Sequence, residues 1–149
     1  MTNDITVTVK KLRPGAWEPA YATPGAAAMD LCALLEAPVK IPPGGRTAIP
    51  TGLAIALPSE AYVALVFGRS GMGFAYGVTL SNAVGVIDAD YRGEIAVGLV
   101  NHGEMPYTVR SGDRIAQLAV LPVCHASVVW AEELPPTARG QGGFGSTGR

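Results

Sequence analysis

This sequence predicts an all-β fold, a sandwich, jelly roll or closed barrel of short strands, on three observations. Nineteen glycines and twelve prolines are spread along 149 residues rather than gathered in a linker, so they cut the chain into short segments. Those segments are rich in Val, Ile, Ala and Thr, and several alternate apolar and polar residues with period two, as a strand with one buried face does. No window of a dozen residues keeps a 3.6-residue apolar stripe free of Gly or Pro, which leaves room for one short helix at most.

The first strand is expected at 5–9, where Ile5, Val7 and Val9 alternate with Thr6 and Thr8. Residues 29–34 follow, apolar around the single acid Asp30. Beyond the turn Pro42-Pro43-Gly44-Gly45 come strands at 46–49 and 52–57. Past Pro58-Ser59 lies an apolar run at 61–67. The one turn of helix falls at 70–76. Asn82 to Glu94 reads as a hairpin, and strands at 94–100, 107–109, 114–121 and 126–130 complete the set. From Arg139 onward the chain is too glycine-rich to pack as a core element. The expected organisation is one β domain over 1–138 and a flexible tail over 139–149.

Eleven Lys plus Arg against twelve Asp plus Glu give a formal charge of −1, too little to coat a duplex or an anionic bilayer. Neither nucleic acid nor membrane is an expected partner. Charged residues make up 15% and hydrophobic ones 48%, which excludes disorder and suggests subunits that bury surface against each other. Cys32 and Cys124 stand apart without metal-ligand spacing, and His102 and His125 add no four-ligand set. With no basic n-region and no run of roughly 18 apolar residues, the chain reads as reduced and cytoplasmic.

Five stretches can carry chemistry. The tail Arg139-Gly140-Gln141-Gly142-Gly143-Phe144-Gly145-Ser146-Thr147-Gly148-Arg149 is either a plain flexible terminus or a nest of backbone N–H groups for a polyphosphate. Phe144 favours the second, because a spacer has no use for a lone Phe whereas a lid can stack one on a base. Gly68-Arg69-Ser70-Gly71-Met72-Gly73 puts a guanidinium, a hydroxyl and open amides in one turn, a phosphate cradle or an ordinary β turn. The three lysines, Lys10, Lys11 and Lys40, all lie in the first third of the chain, far from this turn, so it is not a Walker loop. Gly85-Val86-Ile87-Asp88-Ala89-Asp90-Tyr91 brings two carboxylates to a bend, where one can take a proton from water or both can be solvated turn residues. Asp30 and Gln117 are polar groups inside apolar strands and need partners there.

In this order, Ala28-Met29-Asp30-Leu31, Arg69-Ser70-Gly71-Met72, Gly85 to Gly93, Arg114-Ile115-Ala116-Gln117 and the glycine tail resemble the five motifs of the trimeric dUTPases. The resemblance runs from about residue 26 to the C-terminus, and five motifs in sequence are far more specific than any one. It implies a jelly-roll-like distorted β-barrel whose C-terminal strand or arm is exchanged in a homotrimer with shared active sites. It also implies Mg2+-dependent hydrolysis of dUTP to dUMP and pyrophosphate, which limits uracil incorporation into DNA and supplies dUMP for thymidylate synthesis.

By the same resemblance, Asp88 is the general base that activates water for attack on the α-phosphate. Arg69, Ser70 and Gly71 hold phosphates, and Gln117 contacts the α-phosphate region. Asn82 and the backbone of Gly85, Val86, Ile87 and Asp88 read the uracil edge, and Tyr91 lies under the deoxyribose, where a 2′-hydroxyl clashes. Phe144 stacks on the base as the tail closes as a lid over a neighbouring site, with Arg139, Gly145, Ser146 and Thr147 at the far phosphates. Asp30 acts on the metal through water only.

The sequence departs from the family at Gly68, usually proline, at Met72, often leucine, and at Gln141, often acidic. Gly68 leaves that turn less stiff. Two rivals are a same-fold dCTP deaminase, for which Glu94 is the one acid after Tyr91 in the hairpin, and a catalytically silent nucleotide-binding regulatory trimer.

Overall fold

Short apolar runs between glycine and proline turns form twelve strands and one helix in the computed structural model, which describes residues 5–143. In chain order they are β1 (Thr8–Lys11), β2 (Ala20–Tyr21), β3 (Met29–Cys32), β4 (Val39–Ile41), β5 (Arg46–Pro50), β6 (Leu53–Ala56) and β7 (Tyr62–Phe67). The helix α1 (Ser70–Tyr76) precedes β8 (Val78–Leu80), β9 (Gly85–Ile87), β10 (Ala96–Asn101), β11 (Tyr107–Val109) and β12 (Arg114–Pro122). Helix α1 stops at Gly77, whose left-handed φ of 69° closes the last turn at little steric cost.

A five-stranded antiparallel sheet in the order β2-β3-β12-β7-β9 dominates, with a three-stranded sheet β5-β10-β8 and the pairs β1-β6 and β11-β4. The fold is nearly all-β with one short helix, as the glycine and proline rhythm predicts. Its strands form four separate sheets, so the barrel is distorted rather than closed. Leu31, Ile41, Ile49, Leu53, Leu99, Val109, Ile115 and Leu118 are fully buried and come from strands of all four sheets, which join them in one core.

Three expectations are corrected. The alternating run at 5–9 does not set the first strand, because the ladder follows the available edge of β6 and pairs Thr8–Lys11 with Ala56–Leu53. The stretch from Asn82 to Glu94 is not a hairpin: β9 joins β7, whereas β10 joins β5 and β8, so the chain crosses between sheets there. Residues 126–130 form no strand and find no ladder partner among the described residues, leaving Val128, Val129 and Trp130 at 81%, 85% and 94% exposure.

Buried Asn101 at the end of β10 ties the surrounding loops together. Its Nδ2 donates to the Ile41 carbonyl at 3.0 Å and the Met105 carbonyl at 2.8 Å, and its Oδ1 accepts the Gly103 N–H at 2.8 Å. Removing the amide leaves three backbone groups without that partner. Asn101→Ala is therefore expected to lower unfolding free energy by about 2–4 kcal/mol, read as a lower urea midpoint at unchanged slope.

Candidate active site

The register of the central sheet collects residues far apart in sequence. Gln117 of β12 pairs with Asp30 of β3 on one side and with Phe67 of β7 on the other, so the three stand in one row. Phe67 leads directly into Gly68 and Arg69. Gln117 Nε2 donates to the Gly68 carbonyl at 2.9 Å and ties that turn to the sheet. Arg69 Nε donates to Asp30 Oδ1 at 3.0 Å and Arg114 Nη1 to Asp30 Oδ2 at 3.1 Å. Two guanidinium groups around one carboxylate leave this corner net positive. Asp30, Arg69, Ser70, Gly71 and Gln117 line one depression, where nothing lies within 4 Å of the Cβ position of Gly71 and its backbone is open to a ligand.

A second cavity, of about 210 Å³, lies beyond β7 and is lined by Asn82, Gly85, Val86, Ile87, Asp88 and Tyr91, with Glu94 at its edge. Strand β9 seats it by pairing Gly85 with Val66, and a Cβ on Gly85 would stand 3.1 Å from the Val66 Cβ. At its mouth the Val84 N–H reaches the Asn82 carbonyl at 2.7 Å across Ala83, whose φ is +62°. That is a strained three-residue turn, and a non-glycine residue is held so only where its surroundings fix it. The bend after β9 is closed by Tyr91 N–H on the Asp88 carbonyl at 3.2 Å, and Asp88 and Asp90 both line a neighbouring depression with Val86, Ala89 and His125. Asp88 is exposed and also lines the cavity of about 210 Å³, and Asp90 does not.

Arg139 lies in a small turn, its Nε donating to the Gly142 carbonyl at 2.8 Å, and lines neither cavity. Phe144, Gly145, Ser146 and Thr147 lie outside the described residues. Both cysteines are free. Burial, and next the Asp30 carboxylate, push the Cys32 thiol up from its ordinary value, which suits packing rather than a nucleophile.

Residues 16–148 match the family model described as dUTPase. The chain belongs to the dUTPase family. It is 55% identical over 130 residues to the deoxyuridine 5′-triphosphate nucleotidohydrolase of Desulfitobacterium hafniense, covering 87% of this chain and 86% of that one. Among solved structures it is similar to a mutant dUTPase of Staphylococcus bacteriophage 80alpha with dUpNHpp, at TM-score 0.87 and 26% identity over 97% of this chain and 99% of that one. A mutant dUTPase from phage phi11 of S. aureus, at TM-score 0.78 and 24% identity over 88% of this chain and 99% of that one, shares the fold and is described with a structural Mg(II) ion.

The dUTPase motifs left three partners unseen. Arg114 has no role implied by its motif, yet it holds Asp30 with Arg69. Glu94 Oε1 accepts both the Gly52 N–H and Arg13 Nη2, each at 2.7 Å. Thr79 crowds Gly68: a Cβ there would lie 2.8 Å from Thr79 Oγ1, so a larger residue at 68 requires Thr79 to move. The pairing Gln117↔Asp30 is a matter of register, and no local sequence signal carries it.

Among the described residues no group of three or more His, Cys, Asp or Glu stands together as a metal's ligand set. Asp30 suits a more distant role. Its side chain is 18% exposed, and a carboxylate has about four lone-pair sites, so each oxygen can take a hydrogen bond from a metal-bound water besides its guanidinium. That donor fits a hard ion that keeps its waters, as Mg2+ does.

Proposed function

We propose that this dUTPase-family chain is a dUTP diphosphatase that splits dUTP into dUMP and pyrophosphate. The observation that carries the reading is the row Asp30–Gln117–Phe67, which sets the cationic turn at Arg69 on the sheet that also seats β9 and Asp88. The phosphates lie against Arg69, Ser70 and Gly71, where guanidinium and open amides oppose their charge. Gln117 holds the α-phosphate region from its place beside Gly68. Asn82 and the backbone of 85–88 hydrogen-bond the uracil edge, and Tyr91 lies against the deoxyribose.

Asp88 takes a proton from water as that oxygen bonds to the α-phosphorus; the bond to the β-phosphate oxygen breaks, and pyrophosphate leaves with the electron pair. Mg2+, where bound, neutralises charge on the triphosphate, with Asp30 as its holder through water. Arg139, Gly145, Ser146 and Thr147 engage the far phosphates and Phe144 stacks on the base, as the segment 139–149 closes over a neighbouring site.

The base cavity, at about 210 Å³, falls below the roughly 300–1,000 Å³ of a whole small-molecule site, and the phosphate corner is a separate depression. This supports sites assembled from more than one subunit of a homotrimer. So do Val128, Val129 and Trp130, apolar and exposed on an arm without a partner among the described residues. Among the described residues no helix is long and apolar enough to cross a membrane.

A deaminase needs a carboxylate free to work on the pyrimidine ring. Glu94 is already committed to Gly52 and Arg13, which favours hydrolysis. Incubation with Mg2+ and, separately, dUTP, dTTP, dCTP and UTP is expected to yield dUMP and pyrophosphate from dUTP alone, resolved by chromatography. Deoxyuridine products from dCTP overturn the reading in favour of deamination, and binding without product favours a silent regulator.

A further inference from the structure

The turn after Asp88 folds the Tyr91 ring back over residue 93. A Cβ built on Gly93 would stand 2.6 Å from Tyr91 Cζ, so only glycine leaves the ring its present place. The Tyr91 hydroxyl donates to the Glu94 carbonyl at 3.0 Å. Glu94 is itself fastened twice through Oε1, by the Gly52 N–H and by Arg13, both at 2.7 Å. Gly52 cannot yield easily: its φ is +72°, and the Leu34 side chain fills the place of a Cβ. The next residue is also held, since Ile95 N–H donates to the Leu53 carbonyl at 2.8 Å and the Ile95 carbonyl accepts Thr51 Oγ1–H at 2.6 Å. A connected path thus runs from the N-terminal segment through Arg13 and Glu94 to the ring of Tyr91.

Steric exclusion is only as good as the wall is rigid. A ribose adds a single oxygen to the sugar, and a phenol on a half-exposed turn has rotamer freedom enough to swing aside for it. Tyr91 is 46% exposed, so packing alone does not fix it. Its hydroxyl bond, the missing Cβ of Gly93 and the doubly held Glu94 do. We propose that Arg13, Gly93 and Glu94 are positioning residues that stiffen Tyr91 and thereby set discrimination between deoxyribonucleotide and ribonucleotide. The inference rests on the reading of Tyr91 as the sugar contact.

The test compares kcat/KM for dUTP and for UTP in Tyr91→Phe, Glu94→Ala and Glu94→Gln. Tyr91→Phe and Glu94→Ala are each expected to lose about three- to tenfold of the dUTP-to-UTP ratio, the fold-change of one hydrogen bond. The loss appears as a gain with UTP. Glu94→Gln, whose amide oxygen still accepts from Gly52 and Arg13, keeps the parent's ratio. A merely structural role lowers both substrates together and leaves the ratio alone, so an unchanged ratio in both Tyr91→Phe and Glu94→Ala overturns the inference. Should Glu94→Ala not fold, Arg13→Ala takes its place from the exposed side of the pair, with the same outcomes. Tyr91→Ala separates the two levels. An unchanged ratio there removes the sugar-contact reading and the inference together, and a ratio changed there but in none of the milder variants removes the inference alone.

Discussion

Asp88→Asn is expected to lower kcat about 10²–10⁴-fold while the protein still binds nucleotide, the loss usual when a positioned base is removed. The substitution is nearly isosteric. The bend is closed by main-chain and neighbouring groups, Tyr91 N–H on the Asp88 carbonyl at 3.2 Å and Arg92 Nη1 on the Ala89 carbonyl at 2.7 Å, and no side-chain atom of Asp88 takes part. An amide at 88 therefore keeps the backbone of 85–88 in its place for the proposed base contact and removes only the proton acceptor. Single-turnover rates with dUTP and the Kd of a non-hydrolysable analogue separate the two effects. A kcat close to the parent's would show that the base lies elsewhere, and a binding loss equal to the rate loss would make Asp88 a contact rather than a base.

Deleting residues 139–149 is expected to cut kcat/KM about 10²-fold, as loss of a closing element that orients substrate and excludes water does, with no fall in the unfolding midpoint. The second half follows from what the described part of the segment, 139–143, touches. Arg139 bonds Gly142, Gly140 bonds Thr137, and among the described residues the last tie of the C-terminal region to the β domain is His125 Nε2 near the Glu60 carbonyl, in the turn before β7, at 3.1 Å. Among the described residues no fully buried core residue lies beyond Leu118, and Val120 is the last to pack against the core. Full turnover in the shortened protein would sink the lid assignment. A collapse of stability would show that the tail has a structural duty instead.

Where apolar alternation coincides with a ladder partner, the strands are legible from sequence: Tyr62–Phe67, Tyr107–Val109 and Arg114–Pro122 stand where the residues put them, as does the helix at Ser70–Tyr76. Val39–Ile41 and Val78–Leu80 escaped because three residues beside proline or glycine carry too little period to read. Ile5 to Val9 misled for the opposite reason, since perfect alternation cannot create an edge to pair with. Of the site, order and residue type were visible in the motifs, but geometry was not. That Asp30 sits opposite Gln117, that Arg114 shares its carboxylate with Arg69, and that Thr79 crowds Gly68 all depend on register between strands separated by scores of residues.

A chain leaving the ribosome makes β3 and β7 long before it makes β12, the strand that lies between them and pairs with both. At about 5–20 residues per second, their facing edges spend seconds with main-chain donors and acceptors unpaired. The largest sheet cannot zip from its N-terminal side; it waits for residues 114–122, and such distant pairing is intrinsically slow. Because Gln117 and Arg114 arrive on that same strand, the corner where two guanidinium groups flank Asp30 comes into being in the step that completes the sheet. A nascent chain stopped before β12 lacks both, and its need for protection during synthesis is greatest while its chemistry does not yet exist.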